Sequence, residues 1–166
     1  MIPPQTIFFD LDGVLANFDE KAARLLKTPY WSRDSTLLWK ALDKDPHFYA
    51  DLKVIGEMVD MLYTVIDRIG IERVQILSAV GKTNKESSTA DKIAWVQRHL
   101  PSGLKVNISN GGRNKYTILV DYPKAVLIDD HDTNLEPWIY NGGIGILHKD
   151  PVSTWTKLLL TGVMNG

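Results

Sequence analysis

Two carboxylates directly follow an apolar run near the start of the chain, and this pattern restricts the folds that are open to it. The run Ile7-Phe8-Phe9 leads into Asp10-Leu11-Asp12-Gly13. An apolar run that ends in acids and glycine predicts a buried strand that breaks into a loop. Because side chains alternate along a strand, Asp10 and Asp12 should leave its end on the same side. In open α/β sheets, ligands bind at the carboxyl ends of strands.

Asp10 and Asp12 have no Lys or Arg adjacent in the sequence. Crowded acids are costly unless a cation or a shared proton relieves their repulsion. A second acidic pair, Asp129-Asp130, follows the apolar run 125–128. Structural interpretations exist for both pairs, because Asp makes Asx turns after strands and caps helices. For the helix predicted from Asn134, Asp132 and Asn134 itself are the stronger capping candidates.

Strand patterns alternate with helix patterns along the whole chain. We therefore predict an α/β fold with a mostly parallel sheet covered by helices on both faces. The predicted strands are residues 6–9, 74–77, 106–108, 125–128 and 144–147. Four helices are predicted at residues 17–26, 56–69, 134–140 and about 152–160. A fifth helix is predicted to begin at Ser87-Ser88-Thr89 and to stop at Pro101.

Residues 28–51 differ in composition from the rest of the chain. They are rich in aromatic residues and are broken by Pro29 and Pro46, with a short helix predicted through Leu37, Leu38 and Leu42. We predict one domain, with a core of residues 1–27 and 56–166 and a small helical cap inserted at about 28–55.

Composition excludes several classes of function. The chain has 166 residues, a formal net charge of -1 and no cysteine, which rules out disulfides, thiolate catalysis and zinc–thiolate sites. The near-neutral charge gives no reason to expect long nucleic acid or a membrane surface as partner. The segment Met1–Gln5 has no signal-peptide pattern, and no apolar run reaches the roughly 20 residues of a membrane helix. We expect a cytoplasmic protein.

The segment Asp10-Leu11-Asp12-Gly13-Val14-Leu15 resembles the first signature of the haloacid dehalogenase-like hydrolases, D-x-D-G-[TV]-[LV]. That family's later signatures also occur in order. The run Val74–Ser78 ends in a hydroxyl residue, Lys115 follows, and Ala125–Asp130 ends in two acids. The resemblance spans nearly the whole chain and implies a Rossmann-like core.

The resemblance implies a role for each acid. Asp10 would attack phosphorus and become an aspartyl phosphate, while Asp12 would protonate the leaving oxygen and then activate water. Mg²⁺ prefers oxygen ligands. Mg²⁺ would be held directly by Asp10, by the backbone carbonyl of Asp12 and by Asp129. Asp130 would contact one of these ligands or reach the ion through a water molecule.

The same resemblance implies how the phosphate is held. Ser78 should donate a hydrogen bond to a phosphate oxygen, with backbone N–H groups around Ala79 and Val80 helping. Lys115 is the candidate for the cation that offsets phosphoryl charge, and Lys124 is its rival because it lies close to the second acidic strand.

Within the family, the chain is most similar to the 5'(3')-deoxyribonucleotidases and 5'-nucleotidases of type C. The segments that carry the similarity include Ala16-Asn17-Phe18, Phe48-Tyr49-Ala50-Asp51-Leu52 and Lys92-Ile93-Ala94-Trp95-Val96. It implies a nucleoside monophosphate substrate whose base contacts Phe18. The aromatic residues of the cap would either line a base pocket or form the cap's own core; they are Trp31, Trp39, Phe48 and Tyr49.

These observations favour a Mg²⁺-dependent phosphatase that acts on (deoxy)nucleoside monophosphates through an aspartyl phosphate. Two alternatives remain open at this point: a phosphatase for another small phosphate ester, and a non-catalytic binding protein on the same scaffold. Dehalogenation is disfavoured because that branch of the family lacks the second acid, here Asp12.

Overall fold

The computed structural model describes residues 5–33 and 35–165. Met1–Pro4, on which much of the signal-peptide prediction rests, lie outside the described residues. Strands and helices alternate along the described chain, as the sequence predicts. The strands are β1 (Ile7–Phe9), β2 (Val74–Ala79), β3 (Lys105–Ser109), β4 (Val126–Asp129) and β5 (Ile144–Leu147).

The helices surround this sheet. They are α1 (Phe18–Leu26), α2 (Thr36–Asp43), α3 (Gly56–Ile69), α4 (Lys85–His99), α5 (Asp132–Tyr140) and α6 (Pro151–Leu160). Two stretches are 3-10 helix, Ile71–Arg73 and Gly112–Val120. The second of these was not predicted, since residues 112–120 lack a clear apolar period.

All neighbouring strands of the sheet are parallel, in the order β3-β2-β1-β4-β5. The chain builds one half of the sheet outward from β1 and then crosses over to build the other half from β4. The strand order therefore reverses between β1 and β4, and ligands bind at the carboxyl ends of strands at such a reversal. The predicted α/β class and parallel sheet are confirmed.

The two faces of the sheet bury separate clusters of apolar side chains. On β1, Ile7 and Phe9 pack into the larger cluster, whereas Phe8 packs into the smaller one with Leu127 and Trp138. This alternation is the period of two that a strand imposes on its side chains. Both faces are thus covered, which explains why the strands are apolar almost throughout.

The helix ends follow local sequence signals. Asn17 caps α1 by accepting a hydrogen bond from the Glu20 backbone N–H at 3.1 Å, and Asp150 caps α6 in the same way through Ser153 at 2.8 Å. The capping prediction for α5 was wrong. Its first turn has no side-chain cap among the described residues, and Asn134 donates to Asp129 instead.

The segment between α1 and α3, residues 28–33 and 35–55, is called the α2 segment below. Its exit is held against the loop after β1, because Asn17 N–H donates to Lys53 O and Ile55 N–H donates to Leu15 O, both at 2.8 Å. Leu38 and Phe48 from this segment are buried in the larger apolar cluster. The α2 segment is therefore packed against the carboxyl edge of the sheet near β1.

Candidate active site

The loop after β1 brings Asp10 and Asp12 to the carboxyl edge of the sheet. The Asp10 N–H donates to Ile128 O of β4 at 2.9 Å, so Asp10 extends the sheet by one residue. The loop then turns tightly at Gly13, whose φ is +79°. A side chain at Gly13 would collide with Asp130 and Arg33, so glycine is required both by its backbone conformation and by the lack of space.

Lys115 joins the two acidic strand ends. Its ammonium lies 2.7 Å from Asp10 Oδ1 and 2.7 Å from Asp129 Oδ2, and only 1% of Lys115 is exposed. The 3-10 stretch Gly112–Val120 delivers this side chain. Burial alone lowers the pKa of Lys115, but Asp10 and Asp129 raise it above its ordinary value. Lys115 is therefore a permanent cation at the acidic edge.

Lys124, the rival of Lys115, lies elsewhere. It is exposed and precedes β4, whereas Asp129 ends this strand. The structure therefore separates Lys124 from the acids by the length of the strand, and its backbone carbonyl accepts a hydrogen bond from Gln5 at 3.0 Å.

Asp129 is fully buried, and protein groups satisfy both of its carboxyl oxygens. Oδ1 accepts the His131 backbone N–H at 2.9 Å, Oδ2 accepts Lys115, and the Asn134 amide donates to both oxygens at 3.2 Å. These contacts fix the carboxylate plane toward Asp10.

Asp130 turns toward the α2 segment. Its Oδ2 lies 2.7 Å from Nη2 of Arg33, while its buried Oδ1 has no hydrogen-bond partner in the described part of the chain. Burial raises the pKa of Asp130 to about 8, although Arg33 opposes the rise. An unpaired buried carboxylate oxygen is costly, so this atom is suited to a cation.

Asp10, Asp129 and Asp130 each offer a carboxylate oxygen, and the three oxygens lie within 4.8 Å of one another. Burial, helped by the charges of Asp129 and Asp12, raises the pKa of Asp10 to about 6 against the effect of Lys115. Oxygen donors crowded in this way suit a hard divalent cation such as Mg²⁺. The residues present therefore fit the ion that the sequence implies.

Asp12 lies beside this cluster and pairs with a different lysine. Its Oδ2 lies 2.7 Å from Nζ of Lys92, a residue of α4. The same ammonium lies 3.2 Å from Ser78 Oγ and 2.6 Å from Ala79 O. Ser78 itself is fully buried, so in this structure its hydroxyl contacts Lys92 rather than the open cavity.

A cavity of about 320 Å³ opens above these groups, and Asp10, Asp12 and Ala79 lie at its wall. Five cationic side chains surround it: Arg33, Lys82, Lys92, Arg113 and Lys115. The backbone N–H of the neighbouring Val80 is already donated to Ser109 O at 2.9 Å, so it is not free for a ligand. A cavity with more cations than acids at its wall attracts an anion.

Aromatic rings form another part of the cavity wall. Phe18, Trp39 and Tyr49 line it, and the guanidinium of Arg33 lies 4.6 Å from the centre of the Phe18 ring. Phe18 is only 1% exposed and packs edge-on against Phe48 at 5.1 Å. Among the aromatic residues of the α2 segment, the structure thus brings Trp39 and Tyr49 to the cavity and places Phe48 in the core.

Sequence reasoning missed three cationic residues of this site: Arg33, Lys92 and Arg113. For Lys92 a signal existed, because it shares the buried face of α4 with Ser88, Trp95 and Val96. A lysine on the apolar face of a helix needs a buried partner. Arg33 lies in an irregular stretch before α2, where the sequence offers no comparable pattern.

The five-stranded parallel sheet flanked by helices, with acids at its carboxyl edge, is the Rossmann-like fold of the haloacid dehalogenase-like hydrolases. A family model described as "5' nucleotidase, deoxy (Pyrimidine), cytosolic type C protein" matches residues 29–159. Because the match spans more than half of the chain, the protein belongs to this 5'-nucleotidase family of phosphatases. The matched range begins after Asp10 and Asp12.

Solved structures with the same fold include a hydrolase from Streptococcus pneumoniae TIGR4. It is 13% identical, with a TM-score of 0.59, over 95% of this chain and 99% of that chain. A dehalogenase structure is 15% identical, with a TM-score of 0.54, over 89% of this chain and 85% of that chain. At these identities the likeness shows the fold alone. A comparison with curated protein sequences gives no match.

In residues 5–33 and 35–165, no helix combines the length and the apolar character that crossing a membrane requires.

Proposed function

We propose that this protein is a Mg²⁺-dependent phosphomonoester hydrolase that forms an aspartyl phosphate on Asp10 and acts on (deoxy)nucleoside monophosphates. The main support is the position of Asp10. It is buried at the wall of a cation-rich cavity, with Lys115 on one oxygen and two further acids within reach of a shared ion. Membership in the 5'-nucleotidase family supports the same reaction class.

The proposed reaction has two steps on the side chains of this chain. First, a carboxylate oxygen of Asp10 bonds to phosphorus while the bond from phosphorus to the ester oxygen breaks, and Asp12 gives its proton to that oxygen. Second, water attacks phosphorus, Asp12 takes a proton from the water, and the bond between phosphorus and Asp10 breaks. Inorganic phosphate and the alcohol leave, and both acids return to their starting forms.

Asp10, Asp129 and the backbone carbonyl of Asp12 would hold Mg²⁺, with Asp130 as a further partner. The bound ion would supply charge neutralisation to the transferring phosphoryl group. Lys115 adds a fixed positive charge between Asp10 and Asp129, so the nucleophile is held in place and the repulsion between the acids is reduced.

The nucleotide assignment rests on the cavity. Cations at one side suit a phosphate dianion, and the rings of Trp39 and Tyr49 offer an apolar surface to a base, while Phe18 borders the same cavity with 1% of its surface exposed. We propose that Phe18 and Ala79 contact the substrate and that the Ser78 hydroxyl turns from Lys92 to the phosphate when substrate binds. The α2 segment would act as a cap on a core of residues 1–27 and 56–166, since Arg33 and Trp39 reach the cavity from it.

The description of the family as cytosolic is the basis for a proposed location. The chain contains no cysteine, which fits a reducing compartment. We propose that the enzyme works in the cytoplasm on small phosphate esters.

The first test is phosphate release from a panel of esters, with and without Mg²⁺. The panel contains ribo- and deoxyribonucleoside 5'- and 3'-monophosphates, sugar phosphates and an aryl phosphate. We expect Mg²⁺-dependent release that favours the nucleotides. Activity on sugar or aryl phosphates alone would keep the mechanism and reject the nucleotide, whereas Mg²⁺ binding without any release would favour the binding-protein alternative.

Asp10→Asn tests the nucleophile directly. This variant should fold but lose turnover, because an amide oxygen is too weak a nucleophile to replace the carboxylate. Asp60→Asn, an exposed acid on α3, is the matched control and should keep full activity. Substantial turnover by Asp10→Asn would reject the aspartyl phosphate.

A further inference from the structure

Lys92 is the most deeply embedded charge that the proposed reaction does not use. It lies in the middle of α4 and is 2% exposed. Its side chain reaches Asp12 in the loop after β1, 80 positions away in the chain. Burying an ammonium is unfavourable unless its surroundings compensate the charge. Such a residue stays in a fold only where its partners satisfy it, so the identity of those partners indicates its role.

The partners of Lys92 account for all of its donors. An ammonium has three N–H groups, and three acceptors lie within reach. These are Asp12 Oδ2 at 2.7 Å, Ala79 O at 2.6 Å and Ser78 Oγ at 3.2 Å. The ring of Tyr49 also lies 4.4 Å from Nζ. In this structure each donor of Lys92 has an acceptor in the protein, so Lys92 fixes the groups around it.

The carboxyl group of Asp12 is held asymmetrically as a result. Lys92 takes Oδ2, while Oδ1 is buried without a hydrogen-bond partner among the described residues. An acid that must pass a proton to a substrate has to be held in one orientation, since rotation of the carboxyl would misplace the proton. The contact between Lys92 and Asp12 provides this arrangement.

We propose that Lys92 is a positioning residue for proton transfer: it holds Oδ2 of Asp12 and so prevents the carboxyl from rotating while Asp12 exchanges its proton with the leaving oxygen and then with water. This role rests on the proposed function. Lys92 also contacts Ala79 O at the end of β2 and the ring of Tyr49 in the α2 segment. Groups on both sides of the cavity therefore hold the lysine that fixes the Asp12 carboxyl.

The alternative is that Lys92 only stabilises the fold. The dependence of the rate on the leaving group separates the two roles. An ester with a very acidic leaving group, such as 2,4-dinitrophenyl phosphate, does not need a proton from Asp12 when its bond to phosphorus breaks. Phenyl phosphate needs that proton. A residue that positions the acid should matter for phenyl phosphate alone, whereas a structural residue should matter for both.

The measurement is kcat/KM, which reports the steps up to phosphoryl transfer to Asp10, for phenyl, 4-nitrophenyl and 2,4-dinitrophenyl phosphate. For Lys92→Met we expect a loss of about 100-fold on phenyl phosphate, within the range of general acid catalysis. On 2,4-dinitrophenyl phosphate the loss should stay under about fivefold. Lys157→Met, at an exposed lysine on α6, is the matched control and should change neither value.

A double-mutant cycle with Asp12→Asn completes the test. If Lys92 acts through Asp12, Lys92→Met should cost little more than about twofold once Asp12 is an amide. The double variant removes both buried charges, so its rate can be compared with that of Asp12→Asn even where the single Lys92 variant folds poorly.

Equal losses on all three esters, or a full additional loss in the Asp12→Asn background, would overturn the positioning role and leave the proposed reaction intact. Failure of the wild-type chain to hydrolyse even 2,4-dinitrophenyl phosphate with Mg²⁺ would overturn both.

Discussion

The guanidinium of Arg33 lies 2.7 Å from the carboxylate of Asp130, and this contact joins the α2 segment to the acidic edge of the sheet. The two residues are 97 positions apart in the chain. Arg33 also lies over the ring of Phe18 and at 3.5 Å from Asp19. Asp130 belongs to the carboxylate cluster that fits a divalent ion, so Arg33 and that ion compete for the same carboxyl group.

Removal of Arg33 should therefore strengthen Mg²⁺ binding. In Arg33→Met, Asp130 loses its cationic partner and becomes available to the ion. We expect the Kd for Mg²⁺ to fall by about tenfold, or about 1.4 kcal/mol. Isothermal titration calorimetry measures this directly. Arg24→Met, an exposed arginine on α1 that pairs with Glu20, is the control and should leave the Kd unchanged. Weaker binding in Arg33→Met would show that Arg33 supports the ion site instead.

The stability of the metal-free protein should depend on pH in a direction set by Asp10 and Asp130. Burial raises their pKa values from the ordinary 3.8 of an aspartate to about 6 for Asp10 and about 8 for Asp130. A carboxyl with a raised pKa binds more protons in the folded chain than in the unfolded chain. Its contribution to stability is therefore complete below pH 4 and is lost as the pH rises to about 8.

Chemical denaturation in EDTA at pH 6, 7 and 8 tests this expectation. The free energy of unfolding should decrease across this window, and Asp130→Asn should flatten the decrease because it removes the group with the higher pKa. A free energy of unfolding that rises with pH would contradict the raised pKa of Asp130. Added Mg²⁺ should restore the most stability at pH 8, where the carboxyls are ionised and free to bind it.

The sequence was sufficient to predict much of the fold, because the signals involved are local. The helix predicted over residues 56–69 matches α3 at both ends, since its apolar period is strong and Gly70 stops it. Strands β1, β2 and β4 were predicted from apolar runs that end in polar residues, whereas β3 was predicted from the weaker pattern Val106-Asn107-Ile108 and β5 from Ile144–Leu147 after two glycines. Residues 112–120 form a 3-10 helix that no sequence period predicts, and Leu119 of this helix packs into the smaller apolar cluster.

The acids of the site could also be placed from the sequence, whereas their cationic partners could be placed only in part. Asp10 and Asp129 end neighbouring parallel strands, so their proximity follows from the topology. The pairing of Lys92 with Asp12 depends on how α4 lies across the sheet, which no local pattern specifies. The pairing of Arg33 with Asp130 likewise depends on how the α2 segment packs on the core.

Lys115 should matter far more for turnover than Lys124. Lys115 contacts two acids of the site, whereas Lys124 is exposed at the start of β4. We expect Lys115→Ala to lower kcat/KM by about 10³-fold, comparable to removal of a donor that stabilises transition-state charge. Lys124→Ala should stay within about twofold, as for an ordinary surface substitution.

Lys115→Ala also leaves Asp10 and Asp129 without their buried cation, which destabilises a fold by about 3–5 kcal/mol. The rates should therefore be compared at low temperature, with circular dichroism showing that both variants are folded. A larger loss in Lys124→Ala would assign the cation role to that residue.

The two tryptophans of the α2 segment should differ in their effect on substrate choice. Trp39 lines the site cavity, whereas Trp31 packs on Phe18 from outside and borders a separate surface depression with Pro29 and Ser32. Stacking of a base on an aromatic side chain contributes about 1–3 kcal/mol. Trp39→Ala should therefore raise KM for a nucleoside monophosphate by about tenfold and leave KM for a sugar phosphate within about twofold.

Trp31→Ala is the matched control for this change. It removes an equally large ring from the same segment, so it should lower the unfolding temperature without altering the ratio of the two KM values. Trp39→Phe adds a second comparison, because it keeps a ring for stacking but loses the indole N–H that donates to Arg33 O at 2.6 Å. If Trp39→Phe retains nucleotide selectivity, the ring binds the base; if it loses selectivity as Trp39→Ala does, Trp39 acts by holding the Arg33 backbone in place.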